Sequence, residues 1–102
     1  MLSHMVYFSL RDPSEEAVRK LVEDCHRLLK PHPGITFYAA GTLAPEFTRP
    51  VNDRAFHVAL HVVFDSRESH DAYQGSPRHQ EFIAGNRETW AQVRVFDAWV
   101  EA

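Results

Sequence analysis

Apolar residues recur at every second position over residues 2–10: His4, Val6, Phe8 and Leu10 share one face, and Met5, Tyr7 and Ser9 share the other. Both faces are largely apolar, which predicts a strand covered on two sides. The period then changes. Val18, Leu21, Val22, Cys25, Leu28 and Leu29 trace a single helical stripe, while Arg19, Lys20, Glu23, Asp24 and Arg27 fall mostly off it. Fully buried, each apolar side chain of that stripe contributes roughly 1.5–3 kcal/mol before entropy is subtracted. A helix facing a core follows. Two starts compete for it: Asp12 as cap with Pro13 in the first position and Glu15 closing a capping box, or Ser14 two residues later. Pro31 and Pro33 end it near Lys30.

Residues 35–43 predict a second strand, with Gly41 marking a bulge or a close approach. Residues 44–53 hold Pro45, Pro50, Asn52 and Asp53 and predict an exposed loop. Residues 56–64 alternate most cleanly: Phe56, Val58, Leu60, Val62 and Phe64 against His57, Ala59, His61 and Val63. Asp65-Ser66-Arg67-Glu68 opens a short helix as a capping box. Gly75-Ser76-Pro77 breaks it, with Gly75 ending one helix, Ser76 capping the next and Pro77 at the first helical position. The following helix runs over residues 77–90, anchored by Phe82, Ile83 and Trp90. Residues 93–100 predict a fourth strand, with Val93, Val95, Asp97 and Trp99 on one side.

The order β-α-β-β-α-β, with its second helical region broken, predicts an α+β ferredoxin-like fold: an antiparallel sheet with helices on one face. The bare face then needs a cover, and the simplest one is a second copy of the chain.

Length and composition narrow the function classes. The 102 residues fit one domain, spanning 1–102, and 44% apolar with 25% charged residues is ordinary for a globular protein. The net charge of −3 supplies no basic excess for nucleic acid. No run of about 20 apolar residues exists for a membrane span. The first residues lack the basic and long apolar segments of a secretory signal, so the expected location is cytoplasmic. Cys25 is the single cysteine and lies on the helical stripe, where a buried, inert thiol is expected.

Candidate chemistry concentrates on either side of the helix break. His79 sits near the start of a helix, where the dipole disfavours the imidazolium and leaves a neutral ring, as a general base requires. Tyr73 lies six residues earlier across the turn, positioned to hydrogen-bond that ring or a ligand carbonyl. His4 and Asp97 project from the sheet toward the helices, where a carboxylate needs a partner and can orient an imidazole. The plainer reading of the first pair is packing against the sheet with bonds to backbone or water, and of the second a single buried polar network under the second helix, which outweighs an imidazole-orienting role there. His57 and His61, about 13 Å apart along one strand face, cannot chelate one metal within a chain. They are expected to pack at the subunit interface, where a two-fold dimer could also set each against its symmetry mate. His26, His32 and His70 are expected on the surface. No histidine–carboxylate spacing matches a zinc motif, so no metal and no cofactor are expected.

Nearly the whole chain resembles the stress-responsive A/B barrel (Dabb) family. The resemblance rests on His4 with Val6-Tyr7-Phe8, on Pro33-Gly34-Ile35, and on the run from Ala59 through Leu60-His61-Val62-Val63-Phe64 to Asp65-Ser66. Tyr73, Pro77-Arg78-His79 with Phe82, and Val95-Phe96-Asp97 complete it. It implies a ferredoxin-like domain that forms an α+β barrel homodimer through its sheets. One plant member of that family closes a linear polyketide by aldol condensation, and its catalytic tyrosine and histidine correspond to Tyr73 and His79, its first-strand histidine to His4. The family's His-Pro-x-His segment reads Ser76-Pro77-Arg78-His79 here.

Together these observations lead to a homodimer that binds a small hydrophobic or aromatic molecule between sheet and helices, with His4, Phe82, Trp90 and Asp97 as ligand-binding residues. Two alternatives stand beside it. One is a cofactor-free cyclase-like or monooxygenase-like enzyme with His79 as base and Tyr73 polarising a carbonyl. The other is a structural, stress-linked dimer without a ligand.

Overall fold

The computed structural model describes residues 1–102. Its elements follow the order β1 (Leu2–Leu10), α1 (Glu15–Leu28), β2 (Ile35–Thr42), β3 (Val58–Phe64), α2 (Arg67–Gln74), α3 (Pro77–Asn86), a 3-10 turn (Arg87–Thr89) and β4 (Trp90–Trp99). The strands form one sheet in the order β2-β3-β1-β4, and every neighbouring pair is antiparallel. This is the ferredoxin-like α+β fold expected from the pattern.

The core lies between the helices and one sheet face. Leu2, Val6, Phe8 and Leu10 of β1 and Val58, Leu60, Val62 and Phe64 of β3 meet Leu21, Cys25 and Leu28 of α1, the following Leu29, Tyr73 of α2 and Phe82 of α3. Alternation along β1 and β3 therefore sets the fold: even-numbered side chains go under the helices, odd-numbered ones to the opposite, open face. Phe37 and Phe96 on the flanking strands remain about half exposed. The sheet thus keeps one face without a cover in the single chain.

Helix starts differ from the sequence expectation in detail. Ser14 rather than Asp12 caps α1, because its side chain accepts the Ala17 N–H. Ser66 rather than Asp65 caps α2 by accepting the Ser69 N–H, and Asp65 instead accepts the Ser69 hydroxyl at 2.6 Å. Gly75 ends α2 in a right-handed conformation; the chain turns because Ser76 caps α3 immediately afterwards. The helix expected over 77–90 stops at Asn86, and Trp90 begins β4 instead of anchoring a helix. Phe56 leaves the alternation of β3 and packs its ring edge-on to Tyr7 of the open face, 4.9 Å between centroids. At Gly41 an added Cβ would meet nothing, and the irregularity of β2 falls between Ile35 and Phe37 instead. Gly34 is the residue that needs its missing side chain: its φ is +85°, and a Cβ there would collide with Ser69 at the start of α2.

No helix is long and apolar enough to cross a membrane.

Candidate functional site

The helix break builds the site. The Ser76 hydroxyl accepts the His79 N–H at 3.2 Å, which sets the first turn of α3, and donates to the Tyr73 carbonyl at 2.9 Å, which closes α2. The same oxygen lies 3.0 Å from His32 Nε2 in the loop after α1. Ser76, at the position where the family resemblance expects a histidine, is thus a clip joining three segments. It brings the rings of Tyr73 and His79 into edge-to-face contact, 4.9 Å between centroids.

His4 rises from the sheet beneath this break. It stands directly across from Asp97 in the β1–β4 register, and its Nδ1 lies 2.5 Å from Asp97 Oδ1. The carboxylate accepts the Nδ1–H, so Nε2 is left as an acceptor. Burial pushes the His4 pKa down, and the Asp97 contact only partly opposes it. His79 is also displaced downward, first by burial and then by the nearby His4, His32 and His70 imidazoles. Both rings are therefore neutral near pH 7. Burial pushes the Tyr73 phenol well above its ordinary value, so it keeps its proton.

A cavity of about 170 Å³ lies between these groups, lined by His4, Tyr73, Gln74, His79, Phe82 and Trp90 with apolar residues of the sheet and helices. Three of the lining residues carry a buried polar atom with no hydrogen-bond partner: Tyr73 Oη, His79 Nδ1 and Trp90 Nε1. Tyr73 and His79 therefore touch ring to ring without spending these hydrogen-bonding atoms on each other.

Of the predicted residues, the structure gathers His4, Tyr73, His79, Phe82 and Trp90 around one cavity. Asp97 joins them through His4 but does not line the cavity, and its side chain is 46% exposed rather than buried under a helix. Two histidines expected on the surface belong to the cluster. The His70 ring is 5.2 Å from that of His4 and 5.5 Å from Phe64; the His32 ring is 5.0 Å from Tyr73. The signal for His70 was its spacing, one helical turn before Tyr73 on the same face. His32 lies between two prolines in a loop, where no periodicity exists to reveal it. His4, His70 and Asp97 bring potential ligand atoms within 4.8 Å of one another.

The other histidines lie elsewhere. His57 Nδ1 accepts the Leu10 N–H at 3.0 Å and so closes the end of β1, a bonded role in addition to any interface. His61 sits on the open face against Phe37, and His26 contacts the Tyr38 hydroxyl on the far side of α1. A larger hollow of about 380 Å³ exists on the open face, between Met5, Tyr7, Asp53, Phe56, Arg94 and Phe96. Its charged pair, Arg94–Asp53, is satisfied at 2.8 Å, so the hollow lacks the unpaired polar groups of the smaller cavity. Cys25 is fully buried, and burial pushes its thiol to about 12, which leaves it unreactive.

The family described as Stress Responsive A/B Barrel Domain (Dabb) matches residues 2–100. A comparison with curated proteins gives no match. Among solved structures, a dimeric ferredoxin-like protein of unknown function from Thermobifida fusca superposes with a TM-score of 0.81 at 18% identity, over 97% of this chain and 90% of that one. A Dabb family protein with a ferredoxin-like fold from Mesorhizobium loti gives 0.80 at 17% identity, over 99% and 97%. The hydroxynitrile lyase of Passiflora edulis gives 0.77 at 19% identity, over 98% and 93%. At these identities the likeness is one of fold.

Proposed function

The chain belongs to the stress-responsive A/B barrel domain family, and from that premise we propose that it binds a small hydrophobic or aromatic molecule in the cavity between sheet and helices. The observation that carries this reading is the set of three partnerless buried atoms, Tyr73 Oη, His79 Nδ1 and Trp90 Nε1, on residues lining one small, mostly apolar cavity. Leaving a buried polar group unsatisfied costs about 1–3 kcal/mol, a cost that a ligand with oxygen substituents removes. Phe82 and Trp90 supply the apolar walls, and Tyr73 and Trp90 can each donate to a ligand oxygen.

The same reading includes a homodimer through the open sheet face. Tyr7 meets Phe56 and Phe96 there edge to face, at 4.9 and 5.8 Å between centroids, and Phe96 remains 52% exposed. An aromatic patch of this kind supports burial against a second copy, and the Thermobifida relative is described as dimeric. A thermal-shift screen of small aromatic and polyketide-like compounds tests the binding reading. Binders raise the melting temperature of the wild-type chain by mass action, and their effect shrinks in Trp90→Phe. A screen without binders supports the structural dimer instead. A monomer by light scattering at micromolar concentration overturns the dimer.

A second reading, general acid–base catalysis in the same cavity, is favoured by the 2.5 Å His4–Asp97 contact beside two neutral imidazoles. In it His79 takes a proton from a carbon next to a carbonyl, Tyr73 donates a hydrogen bond to that carbonyl oxygen, and Asp97 orients His4. The hydroxynitrile lyase among the fold relatives performs its chemistry on this architecture. Loss of turnover of a polyketide-like substrate in His79→Ala, with ligand binding retained, supports the catalytic role. Unchanged turnover removes it.

A further inference from the structure

We propose that His4, His70 and Asp97 form a binding site for one zinc ion or a similar borderline divalent cation, at the edge of the cavity. The three residues come from β1, α2 and β4, and each offers a ligand atom within 4.8 Å of the other two. Two imidazoles and one carboxylate are a donor set suited to Zn²⁺ or Co²⁺ and poorly suited to Mg²⁺ or Ca²⁺, which prefer oxygen ligands throughout. Three protein ligands also leave a coordination position free for water or a ligand oxygen.

The surroundings fit the ion. His70 Nδ1 lies 3.0 Å from Asp71 Oδ1, so a carboxylate already holds this ring and leaves its Nε2 for a metal. Metal-bound histidines commonly have this arrangement, and it raises the basicity of the ligating nitrogen. His4 Nε2 lies 3.5 Å from the Gln74 amide, whose oxygen and nitrogen can exchange places by a flip. With Nδ1 on the ion, Nε2 carries the proton and Gln74 turns its oxygen to accept it. Asp97, half exposed on an edge strand, gives the ion a route in from solvent.

The ion takes the place of the proton that His4 Nδ1 now donates to Asp97. Ligand distances of about 2.0–2.2 Å in a tetrahedral site require neighbouring ligand atoms about 3.3 Å apart. The His4–Asp97 contact must therefore open from 2.5 Å while the His70 ligand atom, now within 4.8 Å of the others, closes in. No motif in the sequence announces the site, because its ligands are 66 and 27 residues apart and meet only through the sheet register and the fold of α2.

The test titrates the untagged, metal-free chain with zinc chloride by calorimetry and with Co²⁺ by visible absorption. It involves no organic ligand, so its outcome is separate from that of the thermal-shift screen. The expected result is one Zn²⁺ per chain, with Co²⁺ bands of four- or five-coordinate intensity. Affinity falls at least tenfold in His70→Ala and in the isosteric Asp97→Asn, and is unchanged in His26→Ala, which removes a histidine remote from the cluster. Absence of stoichiometric binding overturns the site. So does wild-type affinity in both ligand variants, or an equal loss in His26→Ala.

Discussion

The helical layer covers the sheet in two ways. Under α1 and the end of α3, buried polar atoms are fully paired. Asn86, 2% exposed, donates to Asp24 Oδ2 and to the Phe82 carbonyl, both at 3.0 Å, and accepts from Lys20 Nζ at 3.2 Å. Burial alone would raise the Asp24 pKa, but hydrogen bonds from Lys20 and Asn86 more than offset it and hold the carboxyl below its usual range. Around the cavity, Tyr73, His79 and Trp90 each leave an atom without a partner. α1 packs on β2 and β3, whereas the cavity is walled by β1, β3 and β4. The first arrangement holds two helices together. The second keeps hydrogen-bonding capacity in reserve beside a cavity, as a site for another molecule would.

The sharpest way to break this comparison is at Gly34, which seats the start of α2. Alanine there combines a positive φ with a collision against Ser69, and the two costs together predict a loss of about 3 kcal/mol in urea unfolding. A loss below about 1 kcal/mol means that α2 shifts freely, and the cavity then has no fixed wall. Next in size, Asn86→Ala removes the amide's bonds to Asp24 and to the Phe82 carbonyl, leaving Asp24 with Lys20 and Arg27, without touching the cavity. It should cost about 2 kcal/mol while leaving ligand-induced stabilisation unchanged. A matching loss of ligand response would show the two regions to be one unit.

How much of this was legible from residues alone differs between the two regions as well. The strands and the stripe of α1 follow from alternation and helical spacing, and the core of Val58, Leu60, Val62 and Phe64 could be named in advance because every second residue shares a face. The Tyr73–His79 stretch could be singled out because Gly75, Ser76 and Pro77 are strong local signals. Asn86 could not: a polar residue near a helix end has no pattern that distinguishes a buried bond to Asp24 from an exposed side chain. Trp90 was misplaced on a helix because the chain leaves α3 at Asn86 through a 3-10 turn, a boundary set by tertiary packing. His32 and His70 became visible as neighbours of Tyr73 and His4 only once the loop after α1 and the face of α2 had positions in space.

Acidification sharpens the comparison from the other direction. His4 and His79 both have pKa values below the ordinary 6.5 or so in the folded chain, principally because burial disfavours their charged forms. The unfolded chain then binds more protons than the folded one as pH drops below that value. Stability is fully present above about pH 6.5 and declines as pH falls through the lower folded pKa values. Asp97 limits the share from His4, since it favours the protonated ring. Urea midpoints measured from pH 7.5 to 5 should fall, and the slope should flatten in His79→Gln. An unchanged slope in that variant would show that the His79 ring is as well solvated when folded as when unfolded.

The smallest expected change in stability is also the most discriminating. Tyr73→Phe removes one oxygen atom from a residue that is 1% exposed, and that oxygen has no partner. Where a buried hydroxyl is unpaired, its loss relieves a desolvation cost and leaves the ring packing intact, so stability should stay the same or rise by up to about 1 kcal/mol. Affinity for a compound found in the thermal-shift screen should move the opposite way, falling about twofold to tenfold if the phenol donates to it. This separation is what distinguishes a reserved hydrogen bond from a structural one, because Asn86→Ala predicts the reverse pattern. A Tyr73→Phe chain that loses about 2 kcal/mol while keeping its ligand affinity would place the phenol in the same class as Asn86. The two coverings of the sheet would then no longer differ in kind.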